Sequence, residues 1–202
     1  MTKIKLCGLK TLSDVEAVNE LLPEYVGFVF APKSKRYISP AQAEKFRGAL
    51  SKKISAVGVF VNENLQIVAE LLNKGIIDAA QLHGNESEAY IKNLRGLTHK
   101  AIIKAFQINT ASDVLAAEKS SADFILADSG AGSGKVFDWI LLKNLRREYF
   151  LAGGLNPDNV ADAIKILNPF AVDVSSGIET DGRKDFGKMK SFTKAVRKEN
   201  FL

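Results

Sequence analysis

Three short stretches of this sequence hold residue types that could do chemistry together. Ala152-Gly153-Gly154-Leu155 and Asp173-Val174-Ser175-Ser176-Gly177 each continue a short apolar run. Glycine lets backbone N–H groups approach an anion closely, so two such turns side by side would cradle a phosphate, whereas taken singly they serve geometry alone. Cys7, the one cysteine, ends the third run. In isolation it reads as a small buried hydrophobe. Strand alternation, however, puts Lys5 on the same face, and a nearby ammonium favours a thiolate. Asp173 lies two residues before Ser175, where it can pair with Lys5 if the two strands are neighbours. Asp128 ends another apolar run and reads either as a helix cap or as an acid. His83, one of two histidines, reads as a satisfied core residue, and two are too few for a histidine-rich metal site.

Gly130-Ala131-Gly132-Ser133-Gly134-Lys135 invites a nucleotide reading and fails it. A phosphate-binding P-loop has four residues between its glycines and a Ser or Thr after the lysine. Here three residues separate Gly130 from Gly134, and Val136 follows Lys135. A flexible loop beside Asp128, acting as a lid, is the expected alternative.

The elements that must position these residues alternate. Apolar or β-branched runs at 4–7, 25–30, 54–61, 79–82, 101–106, 124–128, 150–152 and 171–174 read as strands. Helical patterns fall at 12–22, 40–50, 65–73, 87–94, 112–120, 138–146, 157–167 and 185–198. Thr11 or Ser13 caps the first helix, and Ser39-Pro40 and Asn156-Pro157 each set a cap before a helix-starting proline. The strands are nearly continuous in apolar character, as parallel strands buried on both faces are. A strand of about 5 residues, a helix of about 11 and two loops of about 4 make a unit of roughly 24. Eight such units consume the 202 residues. The expected fold is therefore α/β, a single (β/α)8 TIM barrel over residues 1–202. An open doubly wound sheet is the alternative, but the glycine pattern of a dinucleotide site is missing after the first strand. In a barrel the reactive groups sit where strands end, and the loops after strands seven and eight commonly hold a phosphate.

Lys and Arg number 28 against 23 Asp and Glu, a net charge of +5. That excess suits an anionic partner. The basic residues are scattered and no nucleic-acid motif accompanies them, so a phosphorylated small molecule is expected and nucleic acid is not. One cysteine precludes an internal disulfide framework. The absence of a long apolar run or of a secretory pattern at the start leads us to expect no membrane association and a cytoplasmic location.

The strand ends taken together resemble the phosphoribosylanthranilate isomerases of tryptophan biosynthesis. The resemblance spans the chain. It rests on Lys5-Leu6-Cys7-Gly8, on Gly27-Phe28-Val29-Phe30 with Pro32-Lys33-Ser34-Lys35-Arg36-Tyr37-Ile38-Ser39, and on Gly58-Val59-Phe60-Val61-Asn62. It continues through Gln81-Leu82-His83-Gly84, Gly132-Ser133-Gly134-Lys135 with Phe137-Asp138-Trp139, Ala152-Gly153-Gly154-Leu155-Asn156-Pro157 and Asp173-Val174-Ser175-Ser176-Gly177. The segment after Asp128 is short for the family, and Ala31 replaces a bulkier residue. The resemblance implies an Amadori rearrangement with Cys7 as base, Asp128 as acid and Arg36 on the anthranilate carboxylate. It implies a substrate phosphate held around Gly153, Gly154, Ser175, Ser176 and Gly177, with Asp173 a further substrate-binding residue. It also implies no metal or other cofactor, and a monomer or homodimer. An ordinary thiol is roughly 3% ionised at pH 7, a deficit of about 2 kcal/mol that Lys5 is expected to reduce. An aspartate near 3.9 is almost wholly ionised there, so the acid role requires substrate binding to raise its pKa. Two other readings stay open: a sibling barrel enzyme acting on a ribose or ribulose phosphate, and a phosphate-binding regulator without catalysis.

Overall fold

A computed structural model describes residues 1–128 and 139–199. Eight parallel strands close a barrel: β1 (Lys3–Cys7), β2 (Tyr25–Val29), β3 (Ser55–Phe60), β4 (Ala79–Leu82), β5 (Ala101–Gln107), β6 (Phe124–Asp128), β7 (Tyr149–Ala152) and β8 (Ala171–Val174). Closure is made by β1 on β8, in a register that sets Lys5 opposite Asp173. The expected neighbour relation of these two residues is thus met.

The helices are α1 (Leu12–Leu21), α2 (Pro40–Ala49), α3 (Leu65–Asn73), α4 (Glu88–Arg95), α5 (Ala111–Lys119), α6 (Val160–Leu167) and α7 (Phe186–Glu199). Thr11 caps α1 by accepting from the Asp14 amide, while Asp14 returns the bond to the Thr11 amide. Ser39 and Gln42 do the same for α2, with Pro40 at its first position. Each reciprocal pair satisfies two otherwise orphaned donors. Helix faces such as Val68, Leu71 and Leu72 of α3 pack on the outward side chains of the strands, including Phe28 and Phe60, to form the larger core.

Three local expectations need correction. Asn156 does not cap a helix at Pro157. Its side-chain oxygen accepts from the amides of Asp158 and Asn159 at 2.8 and 3.1 Å, which makes a turn and delays α6 to Val160. The sixth connection carries a 3₁₀ helix, Trp139–Asn144, in place of an α-helix at 138–146. The Leu145 amide bonds the Leu142 carbonyl just beyond it, the tighter three-residue closure. Its expected start at Asp138, like the glycine-rich lid at 130–135, lies outside the described residues.

The third correction is an addition. After β8 a 3₁₀ turn (Ser176–Ile178) leads into a small antiparallel hairpin, β9 (Glu179–Thr180) and β10 (Arg183–Lys184). Asp181 and Gly182 turn it with φ of 52° and 73°. Asp-Gly favours the tight hairpin turn that needs positive φ at both central residues.

Candidate active site

A cavity of about 720 Å³ opens where the strands end, lined among others by Cys7, Arg36, His83, Asp128, Gly153 and Ser175. Alternation along each strand puts every second side chain inside the barrel. That rule brings Cys7 up from β1, Asp128 from β6 and Asp173 from β8 into one space.

Below the cavity floor lies Lys5, fully buried. Its ammonium donates to Asp173 Oδ2 and Gln81 Oε1, each at 2.7 Å. Burial alone would lower its pKa. The facing Asp173 charge, with Cys7 adding, outweighs burial and holds the lysine above its ordinary value. Asp173 Oδ1 is buried with no hydrogen-bond partner among the described residues. An acceptor in that condition, on a cavity wall, suits a ligand hydroxyl.

Gln81 links this pair to His83. Because Gln81 Oε1 accepts from Lys5, its amide nitrogen faces His83 Nδ1 at 2.9 Å. That nitrogen can only donate, so Nδ1 accepts and the ring proton sits on Nε2, 3.4 Å from Asp128 Oδ2. An imidazolium would set N–H against N–H at Gln81. His83 is therefore a half-exposed cavity residue with a defined tautomer, and the core reading of it is corrected.

Cys7 sits near Val29 and Val59, 8% exposed. Burial pushes its thiol above the ordinary value. Lys5 and Lys184 pull in the opposite direction and do not overcome it. Lys5 favours the thiolate, as expected, but desolvation outweighs it. A Cβ on Gly27 of the neighbouring strand would lie 2.4 Å from Cys7 Sγ, so glycine there leaves room for the thiol.

In the loop after β7, Gly153 and Gly154 adopt φ of 92° and 64°. Both line the cavity with Ser175 and Ser176. Gly177 works behind that wall. A Cβ there would fall 1.9 Å from the Leu155 carbonyl oxygen, so this glycine permits the loops after β7 and β8 to touch. Arg36 reaches the cavity from the loop after β2, and its Nε and Nη2 donate to Glu179 at 2.7 Å each. Glu179 and Lys184, on the hairpin, escaped the sequence reading although Asp181-Gly182 carried the signal for it. Gln81 was legible only as part of a strand end.

An eight-stranded barrel that gathers two glycine loops, a thiol and a carboxylate at one mouth defines an enzyme of the (β/α)8 class. Residues 4–195 match the model of the N-(5'-phosphoribosyl)anthranilate isomerase family, and the chain belongs to that family. The N-(5'-phosphoribosyl)anthranilate isomerase of Endomicrobium trichonymphae is 46% identical over 202 residues, covering 98% of this chain and 99% of the relative. The crystal structure of the phosphoribosyl anthranilate isomerase of Thermotoga maritima superposes with a TM-score of 0.90 at 38% identity, covering 98% of this chain and all of the other. A further isomerase structure, in complex with reduced 1-(o-carboxyphenylamino)-1-deoxyribulose 5-phosphate, gives 0.88 at 37% identity over 98% and 100% of the two chains.

Proposed function

We propose that the protein isomerises N-(5-phosphoribosyl)anthranilate to 1-(2-carboxyphenylamino)-1-deoxyribulose 5-phosphate, a step of tryptophan biosynthesis, by acid–base catalysis as one domain in the cytoplasm. The observation that carries the reading is the meeting of Cys7 and Asp128 in one cavity whose further wall is the pair of glycine loops.

In this reading Asp128 gives its proton to the ribose ring oxygen. The C1–O bond breaks, and the nitrogen lone pair closes a C1 iminium. Cys7 then takes the proton on C2, and those electrons flow into the iminium to give an enolamine. The enol loses its proton and C1 gains one, leaving the ketone. The iminium is the electron sink, so the protein's part is to place two proton-transfer groups and hold the ends of the substrate. Cys7 acts as the base only after its own thiol proton has left to solvent; forming that buried thiolate is costly, and Lys5 and Lys184 are the cations that stabilise it. His83, with its Nε2 proton toward Asp128, orients the carboxyl group. Gly153, Gly154, Ser175 and Ser176 take the phosphate, and Asp173 Oδ1 takes a ribose hydroxyl. Arg36 takes the anthranilate carboxylate, where a planar fork gives two parallel bonds.

Anthranilate fluorescence provides the test. Phosphoribosyl anthranilate generated in situ is consumed by the purified protein, and the fall in its fluorescence gives the rate. Absence of any fall beyond the uncatalysed one overturns the reading and favours a non-catalytic phosphate binder.

A further inference from the structure

We infer that Glu179, on the hairpin after β8, is the positioning residue that fixes Arg36 for the substrate's carboxylate and so sets specificity for a carboxylated aryl amine. This inference rests on the reading of Arg36 given above.

The guanidinium presents two bidentate edges. Glu179 occupies the side edge, with Oε1 accepting from Nε and Oε2 from Nη2, both at 2.7 Å. The end edge, Nη1 with the second Nη2 proton, is left over for another carboxylate. The stem is held as well. It crosses Gly8, where a Cβ would lie 2.5 Å from Arg36 Cδ. Nothing bulkier than glycine fits under an arginine in that pose.

Charge supports the same conclusion. Glu179 is shared: Lys184 Nζ donates to its Oε1 at 2.7 Å, and the Lys184 side chain is 2% exposed. One carboxylate between two cations leaves a net positive charge at the cavity edge, which a ligand carboxylate neutralises. Lys184 also donates to the Ser175 carbonyl at 3.0 Å, and Ser175 Oγ donates to the Cys7 carbonyl at 3.1 Å. Glu179 therefore ties the arginine to the loop after β8 and, through it, to the end of β1. The side chain that grips one end of the substrate is registered against the residue that removes its proton.

Two ligands separate this role from a merely structural ion pair. Titration calorimetry measures Kd for reduced 1-(2-carboxyphenylamino)-1-deoxyribulose 5-phosphate and for its counterpart lacking the carboxylate. Glu179→Gln keeps the shape and removes the charge that holds the fork. Its Kd for the carboxylated ligand should rise about tenfold, the scale of one charged hydrogen bond. The decarboxylated ligand should bind within twofold of wild type. In steady-state assays KM should rise while kcat moves less than threefold. Equal losses for both ligands would make Glu179 a structural strut and overturn the inference. Tighter binding of the carboxylated ligand would overturn it too, because Glu179 would then be a competitor for the arginine. Arg36→Lys is measured in parallel. If it leaves the carboxylated ligand's Kd unchanged, the assignment of Arg36 fails; if it weakens that ligand and Glu179→Gln does not, only the positioning inference fails.

Discussion

Where the strands begin, the barrel interior is filled with rings. Phe150 stands at its centre, with Tyr25, Phe124 and Phe170 at centroid distances of 5.3, 5.9 and 5.5 Å. Val57, Ile103 and Leu126 complete the layer. Where the strands end, the same inward alternation delivers Lys5, Gln81, Asp173 and Cys7. The two layers share one backbone geometry and differ only in side chains. One is dry and held by packing. The other is buried yet polar, with Lys5 of β1 held by Gln81 of β4 and Asp173 of β8. The barrel's stability and its chemistry are therefore stacked along one axis, and changes at the two ends should have separable consequences.

The sharpest way to break this contrast is to open the dry end. Phe150→Ala removes the central ring and should cost about 3–5 kcal/mol of stability, as large-to-small core changes do. Urea unfolding measures the loss. At a temperature where the variant remains folded, kcat should match wild type. A fall in kcat in folded protein would mean that the layers are mechanically coupled.

Lys5→Met attacks the boundary between the layers. It leaves Asp173 buried without its cation, and breaking such a pair costs roughly 3–5 kcal/mol. Unlike Phe150→Ala, it should also abolish most activity, because Gln81 and, through it, His83 lose their orientation. Adding Asp173→Asn to Lys5→Met should restore part of the stability and none of the turnover. Recovery of turnover in the double variant would show that the pair serves folding alone.

How far the sequence reveals each layer follows from the same contrast. The strands were legible because both faces of β3 are apolar enough to read as a run, and the segments 79–82, 124–128 and 171–174 match β4, β6 and β8 at both ends. The Lys5–Asp173 pair was legible once barrel closure made β1 and β8 neighbours. The state of Cys7 was not, because the desolvation that dominates it depends on how Val29, Val59 and the neighbouring strands close around the thiol. His83 was misread for a related reason: a histidine following an apolar strand looks like core until the strand's last inward position is known to open on a cavity. Glu179 stayed hidden because it acts on Arg36 across 143 residues of chain.

At the polar mouth itself, variants should lose rate and keep stability. Cys7→Ala and Asp128→Asn should each lower turnover at least about a hundredfold, or about 2.7 kcal/mol in barrier. Each should bind the reduced product analogue with near-native affinity, since only a transition-state contribution is removed. Near-normal turnover of Cys7→Ala removes it from the mechanism. Normal turnover of Asp128→Asn makes Asp128 a structural cap, and failure to bind the analogue makes its role positioning rather than proton transfer.

The smallest expected effect is a pH dependence confined to the polar layer. Burial by itself would raise the Glu179 pKa, but Arg36 and Lys184 hydrogen-bond its carboxylate and bring it from an ordinary 4.5 down to about 2. Glu86 is also held below its ordinary value: burial opposes this, while the Asn62 amide and Lys104 prevail. A carboxylate with a folded pKa below its unfolded one binds fewer protons in the native state. Its stabilisation is complete above the unfolded value and is lost as pH falls through the folded value. For Glu179 the window runs from about pH 4.5 to about pH 2. Denaturation midpoints measured across that window should fall with acid in wild type and less steeply in Glu179→Gln, which has no proton to take up there. Phe150→Ala, by contrast, should lower every midpoint by a similar amount and keep the wild-type slope. An unchanged slope in Glu179→Gln would mean that the Arg36–Glu179–Lys184 cluster contributes no net stability in solution. The charges at the mouth would then serve ligand binding only.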